Sequence, residues 1–242
     1  MKNSLILSIY MSAFGAFSSL IGGALGATIC INKKSVISFL YEVTAGMMTG
    51  IVCFEMLPEC FEISSISFSI FGIIIGTILI FLLDYIIRII KIKNTNNNKK
   101  ILSLVIILSM AFHNAIEGIA IGSSYVYSSS FGFVVLLGMF LHDIPEGMIV
   151  GITSKVNGKN ILKIIFESVL VGACVGIGTL IGGYIGNIDN KYISLSLSIA
   201  AGAMLYIVSC ELIPESKEYI KSKIIYLAYV LGLLISAIIS KI

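Results

Sequence analysis

Apolar runs of membrane-spanning length recur along the whole chain, with short polar stretches between them. Each run is close to the roughly 20 residues that a helix needs to cross a bilayer, and they lie at 5–31, 36–58, 66–90, 101–125, 131–153, 161–186, 192–213 and 222–240. The short alternating strands of an outer-membrane barrel do not occur in this pattern. The sequence therefore predicts an all-α integral membrane protein with eight transmembrane helices.

Composition and loop charge add an orientation to this prediction. Hydrophobic residues make up 57% of the chain and charged residues only 12%, which is not the composition of a soluble domain. When loops alternate across the membrane, all 16 Lys and Arg except Lys2, Lys191 and Lys241 fall on one side, a balance of 13 against 3. The positive-inside rule makes that side cytoplasmic. We expect a multi-pass protein of the cytoplasmic (inner) membrane, with both termini extracytoplasmic and no nucleic-acid partner.

The chain also contains an internal repeat. Residues 44–48 and 55–59 match residues 200–204 and 211–215 at an offset of 156. Because the copies are five helices apart, an odd number, they cross the membrane in opposite directions, as in many transporters. We expect one transmembrane domain, 1–242, in a 3+2+3 arrangement, with repeat 1 at about 1–92, a central helix pair at about 101–153, repeat 2 at about 161–242 and a cytoplasmic linker at about 91–100.

Both histidines lie in one motif that occurs twice in the central pair. The polar members of the motif are His113, Asn114 and Glu117 in the fourth run, and His142, Asp143 and Glu146 in the fifth. A His and a Glu four residues apart share one helix face, and the residue after each His lies about 100° further around. A lone buried His is usually structural, but two such clusters favour a metal site. Glu117 and Glu146 could bridge two adjacent metal positions.

The ligand types narrow the choice of metal without deciding it. Imidazole with carboxylate suits zinc, ferrous iron, manganese or cadmium, and affinity alone does not select among them. A charged side chain at the bilayer centre costs about 2.5–3.5 kcal/mol on insertion scales. A divalent cation or a proton would offset that cost for the three carboxylates of the motifs.

The repeated Glu-x-x-Pro-Glu segment supplies further carboxylates. Glu55 and Glu59 are predicted at the outer end of the second helix, and Glu211 and Glu215 at the inner end of the seventh. These residues are either acidic mouths of a transport path or interfacial carboxylates beside a helix-ending proline. We include Glu211 among the candidate metal ligands and leave both interpretations open.

Taken together, these motifs resemble the ZIP (Zrt/Irt-like) family of metal transporters, in its bacterial zinc-uptake branch. The resemblance rests on H-N-x-x-E-G, H-D-x-P-E-G, the eight runs and the A-G-x-M and E-L-I-P-E-S segments of the seventh run. It implies a binuclear transport site formed by His113, Asn114, Glu117, His142, Asp143 and Glu146. It also implies a homodimer, an elevator-like movement of helices 1, 4, 5 and 6, and a helix 2 methionine ligand at Met48.

One position departs from the family pattern. Many bacterial members carry Glu-Pro in helix 6, where this chain has Val175-Gly176. Glu167 is the sole carboxylate in that run and lies about two turns earlier. The second metal position is therefore weakened, which leaves a single-metal cycle open.

These observations predict a transporter that moves divalent metal into the cytoplasm. We expect zinc as the transported substrate, with iron, manganese and cadmium as further candidates, and no bound cofactor. The expected partners are divalent metal ions, the lipid bilayer and a second copy of the chain. The alternative is a membrane metalloenzyme, either an intramembrane protease or a di-iron protein. The sequence has neither H-E-x-x-H nor Glu-x-x-His, so we predict that the chain is not an enzyme.

Overall fold

The regular structure of this chain is helical wherever it is described. The computed structural model describes residues 2–28, 34–93 and 99–241. The α-helices in these ranges are α1 (Lys2–Thr28), α2 (Lys34–Ile51), α3 (Leu57–Ile63), α4 (Ile66–Lys93), α5 (Lys99–Tyr127), α6 (Ser129–Val156), α7 (Ile161–Gly186), α8 (Asn190–Ile207), α9 (Ile213–Tyr219) and α10 (Tyr226–Ile239). A 3₁₀ turn at Lys223–Ile225 precedes α10. The predicted linker at 91–100 falls partly outside the described residues, at 94–98.

Most of the predicted spans are helices of the expected kind. Within the described ranges, 6 helical segments are long and apolar enough to cross a membrane: Leu5–Thr28, Lys34–Ile63, Ile66–Ile90, Ser129–Ile152, Ile161–Gly186 and Asn190–Tyr219. The other two predicted runs correspond to α5, which has 29 residues, and to the shorter apolar segment Lys223–Ile239. The prediction of an all-α membrane protein is confirmed, whereas the count of eight spans stays a prediction.

Two π-helical turns interrupt the second and seventh predicted helices. They lie at Val52–Met56, between α2 and α3, and at Val208–Leu212, between α8 and α9. Both bounds differ by 156 residues, the offset of the sequence repeat. In the first turn the Leu57 N–H donates to the Val52 carbonyl, five residues back. The repeat is therefore visible in backbone geometry as well as in sequence.

Proline explains the position of both turns. Pro58 and Pro214 are the second residues of α3 and α9. A proline lacks the N–H, and its ring clashes with the carbonyl four residues earlier, so a wider π turn just before it relieves the clash. The alternative that these prolines end their helices is wrong, because the helical structure continues for about a turn and a half after each proline.

The helices pack in two groups. In the first, α1 lies along α6 and α7, and α5 lies along α7; in the second, α10 packs on α2 and α4 packs on α8. Contacts of α2 with α6 and of α5 with α8 join the groups. Glycines allow close backbone approach inside the first group. A Cβ placed at Gly118 of α5 would overlap the Val175 carbonyl of α7, and one at Gly22 of α1 would overlap the Ile144 carbonyl of α6.

We expect Gly118→Ala to destabilise the protein because backbone atoms of α7 occupy the space that the new methyl group needs. Overpacking of this kind costs about 1–3 kcal/mol, so the midpoint of thermal unfolding in detergent should fall by several degrees. Gly186→Ala is the matched control, because the nearest atom to its added Cβ is 3.2 Å away and belongs to a side chain. Equal losses in the two variants would contradict the close α5–α7 contact.

Candidate metal site

His142 of α6 lies at the centre of a buried polar cluster. Its Nε2 is 2.9 Å from Glu117 Oε1 of α5 and 3.5 Å from Asp143 Oδ1. Its Nδ1 is 3.1 Å from the carbonyl oxygen of Gly138, one helical turn earlier. A hydrogen on Nδ1 would be donated to that carbonyl, which leaves the Nε2 lone pair facing the carboxylates. In this tautomer Nε2 can bind a metal ion.

His113 of α5 completes the cluster from the facing helix. Its Nε2 lies 2.9 Å from Glu117 Oε1, on the same helix face, and 3.7 Å from Glu146 Oε1 of α6. Glu117 Oε1 is therefore shared by both imidazoles. Ligand atoms fall within 4.8 Å of one another in two overlapping groups: His113, His142 and Glu146, and Glu117, His142 and Asp143. The i, i+4 spacing thus brings five of the six motif residues together.

Several polar atoms of this cluster have no hydrogen-bond partner among the described residues. They are both ring nitrogens of His113 and one oxygen each of Asn114, Glu117 and Asp143. Asn114 is anchored through its amide, which donates from Nδ2 to the Val171 carbonyl of α7 at 3.1 Å. Leaving a buried polar atom unpaired costs about 1–3 kcal/mol. The three oxygens and one of the two His113 nitrogens can therefore each give a lone pair to a cation.

Val175 places an apolar side chain beside the carboxylates of Glu117 and Asp143. It is buried in α7 and lines a cavity of about 10 Å³ together with Glu117 and Asp143, close to the least space that one water needs. Glu167 does not replace the missing carboxylate, because its Oε2 lies 2.6 Å from Lys159 Nζ in an ion pair.

Two further predicted ligands, Met48 and Glu211, lie on elements other than α5 and α6. Met48 is fully buried in the main hydrophobic core, on α2. Glu211 lies in the π turn Val208–Leu212 and belongs to neither group of His and carboxylate side chains found in the described part of the chain. Both therefore stay predictions.

Sequence reasoning missed Ser18 of α1. This fully buried serine has its hydroxyl 3.0 Å from Asp143 Oδ2 and 2.9 Å from the Gly15 carbonyl. No motif marks it, because the contact joins residues 125 positions apart and depends on how α1 packs.

Glu42 of α2 was also missed, although the repeat gives a signal. It is fully buried, and neither carboxylate oxygen has a well-formed hydrogen bond within the described ranges, although the Ser216 hydroxyl lies nearby. The offset of 156 places Ser198 at the equivalent position, where the hydroxyl donates to the Ser194 carbonyl at 2.6 Å. The first repeat therefore has a buried acid, Glu42, where the second has a serine whose hydroxyl is hydrogen-bonded within its own helix.

The surroundings of Glu42 and Ser198 are equivalent as well. Ser38 Oγ donates to the Ser216 carbonyl at 3.1 Å, and at the same offset Ser194 Oγ donates to the Cys60 carbonyl at 3.1 Å. The same pair of contacts thus joins α2 to α9 and α8 to α3. The two sets of contacts are equivalent, and they differ in that one lies beside Glu42 and the other beside Ser198.

A buried cluster of two imidazoles and three carboxylates, held by α5 and α6, offers the ligand types of a metal site inside an all-helical membrane protein. The family model of the ZIP zinc transporters matches residues 95–240, more than half of the chain. The chain belongs to this family, as its motifs suggested.

Named relatives agree with this family. Over 115 residues, or 47% of this chain and 45% of the relative, it is 34% identical to the zinc transporter GufA of Myxococcus xanthus. It is 26% identical over 130 residues to the zinc transporter foi of Drosophila melanogaster, covering 54% of this chain and 18% of the relative. It is 25% identical over 111 residues to the zinc transporter ZIP10 of Mus musculus, covering 46% and 13%. The chain thus spans less than half the length of these relatives.

We expect Glu42→Ser to raise stability, because serine can donate to the Ser38 carbonyl as Ser198 does to that of Ser194, and no unpaired acid stays buried. The gain should be about 1–3 kcal/mol, measured as a higher midpoint of thermal unfolding in detergent. Ser198→Ala, which removes the equivalent bond, is the control and should lower the midpoint. A lower midpoint for Glu42→Ser would show that the carboxylate makes a stabilising contact.

Proposed function

We propose that this chain is a carrier that moves a divalent cation, zinc foremost, across the cytoplasmic membrane into the cytoplasm. The observation that carries the proposal is the position of Glu117 Oε1, 2.9 Å from Nε2 of both His113 and His142 in a fully buried setting. Buried charges of this kind are costly in a membrane and mark ion pathways. A bound divalent cation would offset the cost, and the matched relatives are named zinc transporters.

The donors support two metal positions of different character. His113, His142 and Glu146 offer two nitrogens and a carboxylate, a set suited to four-coordinate zinc. Asn114, Glu117 and Asp143 offer oxygens, which suit harder ions such as manganese better. Glu117 borders both positions. Because Val175 adds no donor, we propose that the first position carries most of the affinity for zinc.

Met48 and Glu211 extend the proposed path on either side. Met48 lies on α2, which packs against the ligand helix α6, so its thioether is a candidate ligand from the second helix group. The π turn that holds Glu211 contacts α2, the helix that also packs on α6. We therefore propose that Glu211 receives metal on the cytoplasmic side after it leaves the central site.

We also propose the membrane architecture of eight spans in a 3+2+3 arrangement, with inverted repeats, both termini outside and a second copy as partner. The packing supports the inverted repeats, because each contact in one repeat has an equivalent in the other. The contact of α1 with α6 corresponds to that of α7 with α5, and the contact of α2 with α10 corresponds to that of α8 with α4. The group α1, α5, α6 and α7 holds the ligands of the motifs. It is the group that would move in an elevator-like cycle against the others.

The metalloenzyme alternative finds less support. Members of the matched family are named for transport, and the two histidines are held by carboxylates of both helices instead of forming a protease motif. Purified protein in proteoliposomes, tested for zinc uptake and for peptide cleavage, separates the two functions. We expect uptake without cleavage, and cleavage without uptake would overturn the proposal.

We expect Glu117→Ala to reduce zinc uptake by about 100-fold or more, since loss of even an outer-shell partner costs about 10–100-fold and this carboxylate contacts both imidazoles. Asn114→Ala should reduce uptake less, because it removes an oxygen from the second position alone. Glu218→Ala, at an exposed carboxylate, is the control and should match the wild type. An equal loss for Glu117→Ala and Asn114→Ala would contradict the division into two positions.

The proposed orientation predicts a labelling pattern. In a variant whose 5 native cysteines are replaced, Ser128→Cys should react with an impermeant maleimide added to intact cells. Asn157→Cys should react only after the membrane is permeabilised. Ser128 is half-buried in the connection between α5 and α6, and Asn157 is exposed between α6 and α7. The reverse pattern would overturn the orientation.

A further inference from the structure

Ser18 is a hydroxyl from the outer helix α1 that reaches into the metal cluster. Its Oγ lies 3.0 Å from Asp143 Oδ2, and no part of the residue is exposed. It also lines the cavity shared by Glu117, Asp143 and Val175. Ser18 is therefore a polar group of α1 that contacts the part of the site formed by Glu117 and Asp143.

The packing of α1 on α6 holds this hydroxyl in place. Ser18, Gly22 and Gly26 are spaced by four residues and share one helix face. A Cβ on Gly22 would overlap the Ile144 carbonyl, and one on Gly26 would overlap the Met148 carbonyl, so the backbones of α1 and α6 are in direct contact. The contact leaves little freedom for Ser18 to shift relative to Asp143.

The hydroxyl hydrogen has two acceptors within reach, the Gly15 carbonyl at 2.9 Å and Asp143 Oδ2 at 3.0 Å. A hydrogen bond to an ionised carboxylate is shorter and stronger than one to a neutral carbonyl. We therefore expect the Ser18 hydroxyl to donate to Asp143 when that side chain is ionised. The other oxygen, Oδ1, has no hydrogen-bond partner within the described residues and lies 3.5 Å from His142 Nε2. Ser18 thus determines which oxygen of Asp143 faces the site.

The same arrangement recurs across the central helix pair. Asn114 and Asp143 hold equivalent positions after the two histidines. Asn114 is anchored by its amide to the Val171 carbonyl of α7, and Asp143 is anchored through one oxygen by Ser18 of α1. In both residues the anchored atom leaves Oδ1 unpaired. Because both residues are held in this way, by α7 and by α1, we infer that anchoring by a neighbouring helix is a general feature of the site.

We propose that Ser18 is a positioning residue that sets metal preference: it holds Asp143 Oδ2 so that Oδ1 alone is presented to metal, and this single-oxygen ligation favours zinc over manganese. The proposal rests on the proposed function, since it concerns the same site. Four-coordinate zinc takes one oxygen from each carboxylate, whereas larger cations with more ligands also accept both. Without the hydroxyl, Asp143 is free to turn and offer both oxygens.

The test compares Ser18→Ala with Ser18→Thr, which keeps the hydroxyl, and with Ser19→Ala. Ser19 is a buried neighbour on α1 that lies beside Gly172 of α7, so its variant controls for loss of a buried serine. Zinc and manganese are measured separately, by uptake into proteoliposomes and by equilibrium binding to the protein in detergent. We expect Ser18→Ala to raise the zinc KM about tenfold with kcat little changed, and to lower the ratio of zinc to manganese kcat/KM. Ser18→Thr and Ser19→Ala should keep the wild-type ratio.

A merely structural role for Ser18 would lower uptake of both metals in proportion, or would affect Ser19→Ala equally, and either result overturns the proposal. A double-mutant cycle in zinc binding with Asp143→Ala adds a second test, because Ser18→Ala should have little further effect once its acceptor is gone. Additive losses would also overturn it. If the wild type binds zinc but carries none across the membrane, the proposed function fails, while the binding ratio and the cycle still decide the role of Ser18.

Discussion

The shared carboxylate oxygen of Glu117 is the contact on which the rest of the site depends. Oε1 lies 2.9 Å from an imidazole nitrogen of its own helix and 2.9 Å from one of the facing helix. In a low-dielectric setting such contacts are strong, but the same setting makes any unpaired partner costly. The helices α5 and α6 must therefore be held at a fixed distance, and the site exists only while that distance is kept.

That distance is set by helices which carry no ligand of the predicted set. Gly118 brings the backbone of α5 against α7, and Gly22 brings α1 against α6, so the ligand helices are clamped from both outer sides. Close backbone contact of this kind depends on small residues and not on a hydrophobic driving force. The ligand cluster is therefore enclosed by the packing of α1 and α7 on the two ligand helices.

Local periodicity made most of the site predictable, and tertiary contact explains what was missed. The spacing of His113 and Glu117 forces both side chains onto one face of α5, so the sequence already indicated their meeting. Ser18 could not be found in this way, because its contact with Asp143 follows from the packing of α1. The π turns were missed for a different reason: proline predicts a break in a helix, but whether the helix ends or widens depends on the helices around it. Glu42 was detectable as an acid inside a predicted span, and comparison of the two repeats shows a serine at the equivalent position.

The repeats also show how an asymmetric site arises from a nearly symmetric fold. The residues after the two histidines are an amide and a carboxylate, Asn114 and Asp143, and each is fixed by the outer helix against which its own helix packs. An amide must be held through its N–H, so a backbone carbonyl of α7 suffices. A carboxylate has no hydrogen to give and needs a donor, and within a helix the backbone N–H groups are already used. A hydroxyl side chain on α1 is the smallest group that meets this need, which accounts for a serine on a face that is otherwise glycine. The chemical difference between Asn114 and Asp143 is thus matched by a difference between the helices that hold them.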